Sequence, residues 1–342
     1  MPGEDLRANQ MTRRTSSLLL LAVKLLFAVV LLALVASSEQ VRKLRLEDVR
    51  AHLDNWPHLL GAFGLICLVP VIGAIRWRIL LRCQGFSLGV LQALHLNLAG
   101  IFFNCLGLGF AGGDAVKAYY LARSQPRGQK ARAAYTVLFD RAVGLFGLLL
   151  IGATVMTCNI VEVWSEQPVR IVSNVMTGAV IVISVWFYFQ KPETDVDGAL
   201  EKGLWRRFMH AVRIHRTKYG TLAAVVALSV LAHVAVLTSL FMMGKFLGMP
   251  EIGLYRFVFY AVVGLVISSI GPLMGVGFGQ YAFAGLLERE WPGQGYRLGT
   301  LLATCYQATV LSCNVLLGLP AFLTMRRGIA EAGAEIRAEE TD

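Results

Sequence analysis

Charge is scarce in this chain. Asp, Glu, Lys and Arg together make up 16% of the 342 residues, whereas a soluble domain carries about 25%. That shortfall argues against an ordinary soluble enzyme. Paired cysteines are missing as well. The six cysteines (67, 83, 105, 158, 305 and 313) lie in or beside apolar segments, and no two have CxxC or metal-ligand spacing. They read as small hydrophobes packing between helices, which leaves no metal or redox centre to assign. No Gly-Lys-Ser/Thr follows any glycine run, so a Walker-type phosphate loop is excluded. Carboxylates inside apolar stretches are too few for the acidic clusters with which membrane enzymes hold Mg²⁺. Nothing in the sequence calls for a cofactor.

Hydrophobic residues are abundant: 56% of the chain, with a mean hydropathy of +0.59. The runs at 18–36, 171–189, 222–243 and 298–324 are near the ~20 residues a helix needs to cross a bilayer. The chain therefore reads as an all-α polytopic membrane protein. The first run follows Arg13 and Arg14. It is long for a secretory signal and has no clear small-x-small cleavage site before Ser37, so it reads as a retained span. The net charge of +10 sits in short loops beside spans. Topology and anionic headgroups explain it better than nucleic acid does.

In chain order, residues 1–17 read as a cytoplasmic tail and 18–36 as an outward span. Residues 37–57 suggest a surface amphipathic helix. Residues 58–81 return and end in the interfacial anchor of Arg76, Trp77, Arg78 and Arg82. Residues 135–158, 171–189, 222–247 and 298–324 alternate in direction, and 326–342 form a second cytoplasmic tail. Two stretches do not fit single spans. Residues 88–113 hold Gln92, His95, Asn97 and Asn104 with several glycines. Both flanks are basic, with five Lys and Arg from Lys117 to Arg132. A re-entrant helical hairpin with its turn near 102–106 satisfies both flanks. Residues 252–288 break at Gly271-Pro272 and run on through Gly275, Gly277 and Gly279, which suggests a second hairpin from the outer face. The expected architecture is about six full spans plus two re-entrant hairpins, the rival being eight full spans. Residues 18–325 then form a single transmembrane domain, with half one at about 58–189 and half two at about 222–324. Span, hairpin and span recur in opposite orientation, the order of an inverted repeat with a midplane site. No direct identity between the halves is apparent, so the repeat is topological.

The densest mixture of glycine, charge and hydrophobicity is at 104–141. Asp114 and Lys117, three apart, share a face if a helix begins at Gly113. Asp114 would then cap that helix, and the amides after Gly112-Gly113 would be free to hold an anion. Asp140 and Arg141 lie inside the next span. A charge there costs about 2.5–3.5 kcal/mol on insertion scales, so it normally faces a cavity and pairs. Arg141 would meet a lipid phosphate, with Asp140 holding it or pairing with Lys117. The plainer alternative is an interfacial pair that snorkels. In the second hairpin Gly275, Gly277 and Gly279 permit close approach, while Ser268, Ser269, Gln280 and Tyr281 offer neutral hydrogen bonds. Small-residue helix packing is the plainer alternative there. His95, Asn97 and Asn104 on the first hairpin, and Tyr306, Gln307 and Asn314 on the last span, are further polar groups able to line a cavity, the plainer reading of each being a packing hydrogen bond, and His233 reads as structural.

These residues carry a resemblance. GGDAVKAYYLAR, followed by AYTVLFDRAVGLFGLL, resembles the flippase-type integral membrane family that includes the transmembrane region of lysyl-phosphatidylglycerol synthases. SSIGPLMGVGFGQYAFA resembles the glycine-rich motif of that family. The likeness runs from about residue 15 to 325. Lys117 stands where the family usually has arginine, and Leu108-Gly109-Phe110 replaces its proline-glycine approach. A lysine is a point charge, unlike the planar arginine fork. Only a short tail follows the last span, so the resemblance implies the lipid-translocating part without the soluble aminoacyl-transferase domain. It implies substrate contacts at Asn104, Gly113, Asp114, Lys117, Asp140, Arg141, Ser269, Gly275, Gly277, Gly279 and Gln280.

The function expected is translocation of a phospholipid or lipid-linked headgroup across a bacterial inner membrane, with both termini cytoplasmic and no enzymatic step. The alternatives are a membrane-embedded lipid-phosphate transferase using Asp114 or Asp140 as base, and an accessory subunit. A partner transferase or a homo-oligomer would be the protein partner.

Overall fold

The structure, a computed structural model, describes residues 53–104, 109–123, 130–158, 167–191, 209, 212–216, 218–270 and 277–339. The expected span at 18–36, most of the amphipathic segment at 37–57, and Gly275 lie outside the described residues. Among the described residues no strand occurs. A 3₁₀ turn at Leu53–Asn55 leads into α1 (Trp56–Cys83), which is followed by α2 (Val90–Phe103) and α3 (Gly109–Arg123). Next come α4 (Lys130–Cys158), α5 (Gln167–Phe189), α6 (Tyr219–Phe246), α7 (Leu254–Ile270), α8 (Phe278–Glu290) and α9 (Gly295–Glu339). Five of these are long and apolar enough to cross a membrane: α1, α4, α5, α6 and the first part of α9, to Thr324.

The remaining four helices form two hairpins. Asn97 meets Lys117 and Gly100 meets Gly113, so α2 and α3 run antiparallel. Likewise Gly264 meets Phe283 and Ser268 meets Gly279, so α7 and α8 run antiparallel. The arms have 14, 15, 17 and 13 residues. At ~1.5 Å per residue they reach about 20–25 Å, short of the ~30 Å hydrocarbon core. That length favours hairpins over eight full spans.

The two halves repeat in detail. Helices α1 and α6 both have 28 residues. Each ends in a Schellman-type turn with glycine at positive φ, Gly85 at 80° and Gly248 at 61°. The closing bonds match: Phe86 N to Leu81 O, and Met249 N to Gly244 O, both 3.0 Å. The hairpins start alike, one residue further from the turn glycine in half two, with Ala93 N bonded to Gly89 O and Phe257 N to Gly253 O. Close helix approaches also pair up. Gly100 and Gly113 correspond to Gly264 and Gly279, and Gly152 against Val262 corresponds to Gly318 against Leu98. Exchanging α1–α4 with α6–α9 carries each of the more extensive helix packings among these eight onto another.

The axis of that exchange lies between α1 and α6, the most extensively packed pair. They run antiparallel: Ser239 Oγ bonds to the Ala62 carbonyl near one end, and Arg76 Nη1 to Ser229 Oγ near the other. The repeat is therefore inverted. Each hairpin packs on the last helix of the opposite half, α2 on α9 and α7 on α4. The apolar core fills the centre with Ile66, Leu148, Leu240, Val262, Phe283 and Leu302. Pro70 inside α1 has no N–H to offer the Ile66 carbonyl. Cys313 Sγ donates to that carbonyl instead, at 3.8 Å.

Candidate functional site

The charged residues of half one converge between its four helices. Asp140, on α4, is 4% exposed and Arg76, on α1, is 9% exposed. Their contact is a fork, Nε to Oδ1 at 2.7 Å and Nη2 to Oδ2 at 3.0 Å. The third guanidinium nitrogen, Nη1, donates to Ser229 Oγ on α6 at 2.9 Å. Gly144, one turn after Asp140, leaves room for this guanidinium; a Cβ there would stand 3.3 Å from Nη1.

A second fork joins Arg141 to Asp114, Nε to Oδ2 at 2.6 Å and Nη2 to Oδ1 at 2.9 Å. Lys117, 3% exposed, stands 3.2 Å from Asp114 Oδ1 and donates to Asn97 Oδ1 at 3.2 Å. Its ammonium lies 5.5 Å from the centre of the Trp77 ring. Asn97 is itself held by a 2.7 Å bond from Nδ2 to the Pro70 carbonyl. Burial on this scale is tolerated only because each charge has a partner and its hydrogen bonds.

Among the described residues the sum of the cluster is uneven. Arg76, Lys117 and Arg141 bring three positive charges, and Asp114 and Asp140 bring two negative ones. Arg141 is the open member, its side chain 40% exposed against 18% for Asp114. The excess positive charge therefore borders the accessible edge. Such a site suits an anion that accepts charge-assisted hydrogen bonds.

Several sequence expectations change here. Asp140 neither holds Arg141 nor pairs with Lys117; its partner is Arg76, which the sequence reading had placed in an interfacial anchor. Arg141 is forked by Asp114 instead. Asp114 is not a helix cap, because α3 already begins at Gly109. The amide of Gly113 is not open to an anion either, since it donates to Asn104 Oδ1 at 2.9 Å. Asn104 thus ties the end of α2 to α3. A Cβ on Gly113 would overlap the Gly100 carbonyl, so the two arms touch backbone to backbone.

In half two the hydrogen bonds gather neutral groups. Gln280, 7% exposed, donates from Nε2 to Gln307 Oε1 at 2.8 Å and accepts from the Gly277 amide at 2.7 Å. Gly279 brings α8 against Ser268 of α7. At the offset set by Gly113 and Gly279, Gln280 stands where half one has Asp114, and Gln307 where it has Arg141. The ionic fork of one half is an amide pair in the other. Ser269 turns away: it is exposed, and its hydroxyl bonds to the Val266 carbonyl of its own helix. His233 bonds to the Ser229 carbonyl one turn back, the structural role expected of it. His95 meets Thr324 Oγ1 at 3.0 Å, joining α2 to α9.

Arg76 and Ser229 are the members that sequence reasoning missed. The available signal was depth, since Arg76 lies about two turns inside the end of α1.

The comparisons agree with this architecture. A UPF0104 membrane protein of Methanocaldococcus jannaschii is 29% identical over 149 residues, 42% of each chain. A UPF0104 membrane protein of Pyrococcus horikoshii is 26% identical over 93 residues, 27% of this chain and 28% of its own. The aligned stretches thus span less than half of either relative. Residues 21–318 match the family described as the lysylphosphatidylglycerol synthase TM region. With the match running through both hairpins and every described span, the chain belongs to that lysylphosphatidylglycerol synthase TM region family.

Proposed function

We propose that this protein is a lipid translocase, moving a phospholipid or another lipid-linked polar headgroup across the bacterial inner membrane by alternating access. The observation that carries the reading is the buried cluster with one excess positive charge, set between broken, short helices of an inverted repeat. A charge at that depth is costly and marks a substrate path more often than a packing device. Inverted repeats with broken helices at matching positions supply a midplane site and two related conformations. The headgroup would bring a phosphate to Arg141 while its acyl chains stay in lipid. Asp114, itself paired with Lys117, would hold the arginine in place. Both termini would face the cytoplasm. No enzymatic step is assigned to the chain.

The test uses purified protein in liposomes carrying fluorescent phospholipids, with quenching from outside as the readout. Headgroup crossing is expected, and both Asp140→Asn and Arg141→Ala should abolish it. Crossing unchanged by both substitutions would remove the charged cluster from the mechanism. A new lipid product in the same vesicles would favour a transferase instead.

A further inference from the structure

The inverted repeat makes it possible to compare each corner of one half with its counterpart in the other, and one pair of corners differs. Where α6 turns into α7, half two contains a cavity of about 270 Å³. Phe241, Phe257, Tyr260, Phe283 and Trp291 line it, and Lys245 with Glu251 stands at its edge. At the equivalent corner of half one, the described residues Leu81, Phe86 and Leu121 pack with Trp77 and Val137, each no more than 3% exposed.

The two turns make the same closing hydrogen bonds, although the link that follows is one residue longer in half two, Gly248 to Gly253 against Gly85 to Gly89. One wall position differs: Gly244 stands where half one has Leu81. A Cβ at Gly244 would meet only the Met249 sulfur, at an ordinary 3.4 Å. Room for a side chain exists and is left empty, although glycine in a helix is unfavourable and an unfilled cavity forfeits its dispersion contacts.

We propose that this cavity is a second lipid site, holding a length of hydrocarbon chain from an anionic phospholipid whose phosphate pairs with Lys245. The walls are apolar and aromatic, and they lie at the end of a membrane-crossing helix, where Trp and Tyr mark the interface. The volume admits part of one chain. Lys245 is half-exposed, and its contact with the exposed Glu251 is loose at 3.8 Å. An ammonium so placed can exchange an exposed carboxylate for a phosphate. Its helix position is fixed beside the cavity mouth by the Gly248 amide, which bonds to the Lys245 carbonyl at 3.1 Å. The site is separate from the Arg141 cluster. The inference rests on the reading that the protein handles lipid, and it does not require that lipid cross the bilayer.

The experiment uses the full chain in phosphatidylcholine nanodiscs containing phosphatidylglycerol with a diazirine on one acyl chain. After irradiation, labelled residues are mapped by mass spectrometry. Labelling is expected at Met249, Phe257 or Phe283 and not at their half-one counterparts Phe86, Ala93 or Lys117. Gly244→Leu installs the side chain that Leu81 already provides in half one, and should lower cavity labelling by about tenfold or more. If that variant fails to fold, Gly244→Val is the same test with a smaller plug. Lys245→Gln should weaken labelling by the phosphatidylglycerol probe. The same chain on diacylglycerol, which has no phosphate, should label weakly, and equally with and without the lysine. Labelling that survives both plugs, or that is as strong at the half-one corner, overturns the site. An equal effect of Lys245→Gln on both probes overturns the phosphate contact. Loss of crossing in liposomes with an intact labelling map would count against translocation alone, so the two failures are distinguishable.

Discussion

Arg76 and Asp140 come from helices far apart in sequence and meet as a fork with both carboxylate oxygens used. Two buried charges owe their tolerance to each other, so removing one leaves the other stranded. Arg76→Leu or Asp140→Leu alone should cost about 3–5 kcal/mol. The double variant should recover much of that loss, and thermal unfolding in detergent would read all three. A double variant as unstable as the sum of the singles would mean the two residues act separately. At this scale the sequence was half legible. Charges inside apolar segments announced that Asp140 and Arg141 would need charged partners, because insertion cost makes such residues rare. Their partners were not legible, because pairing depends on which helices pack together. Nothing local distinguishes an arginine that snorkels to the interface from one that turns inward to Asp140.

The hairpins show what a glycine does at the level of an element. In the first, Gly113 faces the carbonyl of Gly100, which cannot move without shifting a helix. In the second, Gly279 faces the hydroxyl of Ser268, a group that can rotate. Gly113→Ala should therefore destabilise by about 1–3 kcal/mol, the range for overpacking, and Gly279→Ala by clearly less. Unfolding midpoints of the two variants would decide this, and equal losses would refute the comparison. The existence of both hairpins was readable from the glycines and from basic residues on both flanks of 88–113. Helix starts were not: α3 begins before Gly112-Gly113, since Asn104 supplies the bond that lets the helix run on through them. A capping rule applied to Asp114 alone pointed to the wrong turn.

Across the whole molecule, the repeat was legible as an order of elements and illegible as an alignment. The pairs Gly85 and Gly248, Gly100 and Gly264, Gly113 and Gly279, and Gly152 and Gly318 were all present in the sequence. Their spacing slips between the arms of the hairpins, and only contacts show which glycines share a role. The inverted order makes a direct prediction. The turns after α1 and α6 should lie on opposite faces of the membrane. In a background without native cysteines, Ser87→Cys and Pro250→Cys, both at exposed positions, should react with an impermeant maleimide from opposite sides of sealed vesicles. Labelling of both from one side would rule out the inversion.

The amide pair of Gln280 and Gln307 stands where the other half has a carboxylate and a guanidinium, so the excess charge lies in one half only. A carrier rocking between two related conformations would then move that charge through part of the transmembrane field. Empty, it would be electrogenic, with an equilibrium biased by up to ~2.3 kcal/mol per 100 mV for one full charge. Loaded with a headgroup of a single negative charge, it would be electroneutral. Imposed diffusion potentials in liposomes should accordingly shift the conformation of the empty protein, read by the accessibility of a cysteine at the exposed position 87, and leave exchange of an anionic lipid unchanged. A voltage-independent empty state would place the cluster outside the moving field.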